Sequence, residues 1–184
     1  MNKRGAWWLW VSVGLIFLLI ITSFFYFALF ASDNSKVYSG IEIKNPISDL
    51  TDEAALVAFD ESFIFYLLYS IKAYNLHAPP LSSDYPRIEV EVSGEPFSAT
   101  VLRGVINVSK GKIAKEDIII RTTKEEAIKM LRDKNYIMNS FNEGKSRIEL
   151  VAGQTTLFAK GYLNMYNEIT GKSVTSNTIK IFTS

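Results

Sequence analysis

Cysteine is absent from the 184 residues, and histidine occurs once, at His77. The first absence excludes disulfides, thiolate metal sites and a cysteine nucleophile. The second removes the usual ligands of a catalytic zinc and leaves His77 as the sole base for any Ser-His-Asp triad, with no Gly-x-Ser-x-Gly elbow to accompany it. The ten glycines are scattered, so no phosphate-cradling loop forms. No stretch places an acid at every second position, as an oxygen-ligand cation loop requires. The adjacent acids Asp60-Glu61, Glu116-Asp117 and Glu125-Glu126 do not face each other on a helix. An excess of one charge is missing too. Twenty basic and nineteen acidic side chains leave a net charge of +1, which disfavours a nucleic-acid binder and a disordered polyelectrolyte. The expectation is a protein that is not an enzyme and holds no metal or cofactor.

Charge is absent altogether from Gly5 to Ser32, 28 consecutive residues that hold all three Trp and five of the twelve Phe. As a helix this run would measure about 42 Å, more than the roughly 30 Å of a hydrocarbon core. Lys3 and Arg4 bound it on one side and Asp33 on the other. Trp7, Trp8 and Trp10 stand where an interfacial belt belongs. A cleaved signal peptide fits poorly, because Leu29 or Phe30 would occupy the −3 position. The run reads as an uncleaved single-pass transmembrane helix. Lys3 and Arg4 orient its N-terminus to the cytoplasm and the following domain to the extracytoplasmic side. The domains expected are an anchor (1–32), a connector (33–50) and an α+β domain (51–184).

Within the connector, Val37 to Ile43 alternates like a short strand, and Asn45-Pro46 ends it. Thr51 to His77 reads as one long helix, capped by Thr51 and stopped by Ala78-Pro79-Pro80. Its second half, Phe63 to Ile71, is apolar on every face and must be covered all round. Ile88, Val90 and Val92 alternate with Glu89, Glu91 and Ser93, a half-buried strand. Phe97 to Val108 is a second extended run with a break or bulge at Gly104. Asp117 to Arg121 is a third, more deeply buried strand. Thr123-Lys-Glu-Glu126 is a capping box, with Thr123 bonding forward and Glu126 reaching back. A short helical piece follows at Tyr136 to Phe141, then a strand around Ile148 and Leu150. Phe158, Tyr162, Tyr166 and Ile169 fall at helical spacing within 155–169, and Gly171 stops that helix. Thr178 to Phe182 reads as a last strand.

This order of elements resembles the sterol carrier protein type 2 family over roughly residues 52–171. Asp117-Ile-Ile-Ile120 leading into Thr123-Lys-Glu-Glu126 is similar to that family's third strand and next helix start. Phe141-x-x-Gly144-x-x-x-Ile148 is similar to its aromatic and glycine before a strand. The resemblance implies a mostly antiparallel sheet of about five strands packed with helices, and an apolar tunnel for a lipid or sterol-like ligand. It does not imply an enzyme.

Two functions remain open on the residues. One is a membrane-tethered binding module for a lipid or other apolar ligand, lined by Phe63, Leu67, Ile71, Ile120, Met138, Phe141, Phe158 and Tyr162. Its partners would be that ligand and the lipid bilayer, with no nucleic acid. The other is a non-catalytic structural or interaction domain docking a membrane-associated complex, with the same residues packed solid.

Overall fold

The computed structural model describes residues 3–30, 38 and 42–171, and in the first helix the side chains of residues 11–25. The chain divides into two compact units, Met1–Ser32 and Asp33–Ser184.

The first unit contains α1 (Lys3–Phe30). The transmembrane helix expected here is corrected: among the described residues no helix is long and apolar enough to cross a membrane. Tethering to a bilayer, which was drawn from that span, has no support among the described residues.

The second unit is built on five strands: β1 (Arg87–Val92), β2 (Glu95–Leu102), β3 (Val105–Lys110), β4 (Ile118–Thr122) and β5 (Arg147–Leu150). They lie side by side in the order β3-β2-β1-β4-β5. The outer pairs are antiparallel, but β1 and β4 are parallel, with Ile88 opposite Ile118 and Val92 opposite Thr122. The sheet is therefore mixed. Ile118-Ile119-Ile120 is buried on both faces, as a central parallel strand tends to be. β3 and β4 run in the same direction, so residues 111–117 must travel from one end of the sheet to the other. They pass Arg87, whose Nε donates to the Lys115 carbonyl at 2.7 Å.

The expected break at Gly104 is a two-residue hairpin. Arg103 (φ 49°) and Gly104 (φ 81°) both take left-handed backbone, the turn whose twist matches paired strands. Alternate residues of the sheet, Ile88, Val90, Val92, Phe97, Ala99, Val101, Ile120 and Ile148, join one hydrophobic core with the helices. The opposite face carries the Arg121 ion pairs to Glu91 and Glu149.

The helix expected over 51–77 is three pieces: α2 (Asp52–Val57), α3 (Glu61–Ser70) and a 3-10 turn at Ala73–Asn75. Thr51 does cap α2, accepting from the Ala54 N–H at 3.3 Å. Asp60 breaks the run because its carboxylate accepts from the Ser62 N–H at 2.8 Å and starts a new helix. Lys72, at φ 58°, follows the end of α3. The all-round apolarity of α3 is absorbed in two ways. Phe63, Ile64, Leu67 and Leu68 enter the core, while half-buried Phe65 and Tyr69 meet the ring of Tyr38. The Tyr38 hydroxyl in turn accepts from the Ile106 N–H of β3 at 2.9 Å.

α4 (Lys124–Arg132) starts at Thr123, which accepts from the Glu126 N–H at 3.2 Å. α5 spans Tyr136–Asn142. The helix expected over 155–169 is also divided, into α6 (Gln154–Ala159) and α7 (Tyr162–Thr170), with Gly161 at φ 84° between them. Residues 42–45 carry no strand. The rest of the strand expected at 37–43, Tyr38 apart, lies outside the described residues, as does Thr178–Phe182.

Candidate apolar-ligand site

Beside β5 the surface opens into a hollow of about 360 Å³. Phe141 of α5, Ile148 of β5 and Tyr166 of α7 give it apolar walls, Ser146 and Thr170 add hydroxyls, and Arg121, Arg147 and Glu149 stand around it. A second hollow of about 350 Å³ follows on the same strand and helix. Leu150 of β5, Leu157 and Phe158 of α6 and Leu163 of α7 line it, with Gln154 and Thr155. A third, about 340 Å³, lies between Ile71 and α5, with Ile137, Met138, Lys134 and Glu168 around it.

The eight residues expected to line one tunnel fall into different environments. Phe63, Leu67, Ile71, Ile120 and Tyr162 are buried in the core. Of these only Ile71 borders one of the three hollows, together with Met138, which is 42% exposed. Phe141 borders the first hollow and Phe158, 46% exposed, the second. Leu150, Leu157, Leu163 and Tyr166 were missed. Only Tyr166 belonged to the helical stripe, and nothing local marks the other three, because the hollow is made by α7 meeting a strand more than ten residues earlier.

Tyr162 has a polar role. Its hydroxyl donates to Asp117 at 2.9 Å. Burial and the neighbouring Asp117 carboxylate push the Tyr162 hydroxyl well above its ordinary pKa. The Lys160 ammonium, fully buried, donates to both Asp117 oxygens at 2.8 and 3.0 Å and pairs with Asp84 at 2.9 Å. The Arg87 N–H adds a fourth bond to Asp117 at 2.8 Å. This constellation fastens the α6–α7 junction to the start of β4. With each polar group satisfied, it holds the wall of the second hollow in place. Lys160 and Tyr162 were visible in sequence only as an aromatic and basic run that suits helix packing.

A second buried network lies behind the first hollow. Ser140 donates to Glu126 at 3.0 Å, as does Tyr136, and Lys129 donates to the other carboxylate oxygen at 2.9 Å. A carboxylate can only accept, so the Ser140 proton is committed to Glu126. Ser146 must then donate to Ser140 (2.8 Å), and Thr122 to Ser146 (2.8 Å). The chain of hydroxyls therefore has one direction, from Thr122 to Glu126. Glu126 does not reach back to Thr123 as the capping box predicts. Burial opposes its ionisation, but the bonds from Lys129, Tyr136 and Ser140 prevail and hold its carboxyl below the ordinary value.

The second hollow offers mainly shape and carbon surface, and the first adds hydroxyls and charged groups to its apolar walls. Among the described residues no cluster of His, Cys, Asp and Glu is suited to a metal ion.

No family model matches the chain, and no curated protein matches it. Among solved structures it is similar to the sec-alkyl sulfatase Pisa1 from Pseudomonas sp., at 10% identity and a TM-score of 0.39, over 67% of this chain and 19% of that one. A double mutant of PisA1 is similar at 13% identity and a TM-score of 0.35, over 58% and 16%. The chain thus spans under a fifth of the length of these sulfatases. It is also similar to sterol carrier protein 2 like 2 from Aedes aegypti, at 16% identity and a TM-score of 0.31, over 53% of this chain and 92% of that one.

Proposed function

We propose that residues 33–184 form a non-catalytic binding domain for an apolar, lipid-like ligand seated along the seam between β5 and α7. The observation that carries this reading is the hollow walled by Leu150, Leu157, Phe158 and Leu163, at about 350 Å³. Small-ligand sites run from about 300 Å³ and are mostly apolar with a few polar groups. Tyr166, Ser146 and Arg147 in the adjoining hollow supply such groups. Half-exposed Phe158 gives a ligand an aromatic surface to cover.

Phe158→Trp tests the reading, because an indole fits a half-open position without disturbing the core. Added palmitate should change its fluorescence saturably, above the wild-type response from the three native tryptophans. No saturable change, together with no co-purified lipid in native mass spectra, would defeat it. A second reading, a protein-docking domain, is favoured by the solid packing of Phe63, Leu67 and Ile120. It predicts that same silence.

A further inference from the structure

β5 is an edge strand: it pairs with β4, and among the described residues nothing pairs with its other side. The direction of its backbone groups follows from one bond. The Val151 N–H donates to the Asp117 carbonyl at 2.9 Å, toward β4. Backbone groups alternate sides along a strand, so Arg147 and Glu149 also bond inward. Ile148 and Leu150 present their N–H and C=O groups outward. A four-residue edge with free donors and acceptors is a template for another strand, and an open hollow of about 360 Å³ gives that strand room.

The side chains of this edge say which strand fits. Arg147 and Glu149 lie on the same face, two residues apart, and Arg147 has no ion-pair partner among the described residues. If two copies of β5 meet antiparallel about a two-fold axis through Ile148, Arg147 stands directly opposite Glu149 of the other copy, and Glu149 opposite Arg147. The same register puts Ile148 opposite Ile148, with both outward backbone groups able to bond each other. Cross-strand partners at the non-hydrogen-bonded positions, where the two charge pairs fall, have the closest side chains. We propose that a second copy of this chain docks here, joining two five-stranded sheets through their β5 edges. An isologous contact of this kind is self-complementary by symmetry. The contact requires no ligand, and its partner strand would wall the hollow beside Phe141.

Sedimentation of the full chain, with charge reversals, tests it. The wild type should sediment as a dimer of the 20.8 kDa chain. Arg147→Glu sets two carboxylates opposite each other in each cross-strand pair, and Glu149→Arg sets two guanidinium groups together. With two attractive pairs turned repulsive, either variant should dimerise roughly tenfold or more weakly. An equimolar mixture of the two variants, or the double reversal R147E/E149R, should recover the dimer, which a merely misfolded variant would not do. A monomeric wild type, or single reversals that associate unchanged, overturns the proposal. If only a chain ending at Gly171 dimerises, the edge belongs to residues 172–184 and the proposal is likewise overturned.

Discussion

Lys160 is the residue whose loss the fold should feel most. Its ammonium is buried against Asp117, and truncation to an apolar side chain leaves that carboxylate without its cation. Breaking one partner of a buried pair costs about 3–5 kcal/mol. Lys160→Met should therefore lower the unfolding free energy by that order in urea titrations, and K160M/D117N should cost less than K160M alone. A sequence cannot reveal this lysine, because what makes its burial tolerable lies 43 residues earlier at Asp117 and 76 earlier at Asp84. Glu126 is different in kind. Its folded carboxyl titrates below the ordinary value, so it contributes stability above the unfolded pKa of about 4.3. That contribution is lost as pH falls through the lower folded value. Wild-type stability should decline across this acid window, and Glu126→Gln should flatten the decline; parallel urea midpoints for the two proteins would contradict the assignment.

Elements were legible where a local device marks them. Thr51 and Thr123 act as caps through bonds three residues away, and the alternation at Ile88–Val92 is a strand. They were illegible where continuous apolar periodicity hid an interruption. Asp60 and Lys160-Gly161 divide what read as single helices, and both sites looked like ordinary helix positions. Gly161 offers a clean test. A Cβ there would meet the His77 ring at 3.6 Å, an ordinary contact, so space is not the obstacle. The backbone at φ 84° is, and an L-residue in left-handed conformation costs about 1–2 kcal/mol. Gly161→Ala should destabilise by that amount in thermal or urea unfolding, and a neutral result would mean that α6 and α7 tolerate a straighter path.

At the scale of the second unit, the α+β class followed from the alternating and helical patterns, while the hollows did not. Two of the hollows arise where β5 meets α6 and α7, and of the aromatic residues that looked like tunnel wall, Phe63 and Tyr162 fill the core instead. The same layering sets the order in which the sheet should open. β1 and β4 are central, flanked on both sides and buried by the helix layer. In native-state hydrogen exchange, amides of Ile88–Val92 and Ile118–Thr122 should exchange last, and those of β3 earlier. Slower exchange at β3 than at β1 would contradict that order. The parallel seam between β1 and β4 also bears on synthesis. The meander of β1, β2 and β3 can form as soon as it leaves the ribosome, since each turn is local. Its apolar side and the open flank of β1 then wait for residues 118–122, which arrive only after the 111–117 crossing. Joining strands so far apart carries a loop-closure delay that adjacent hairpins avoid. During that interval the nascent chain offers β1 to any strand nearby, so crowded expression should favour aggregates nucleated at Ile88–Val92.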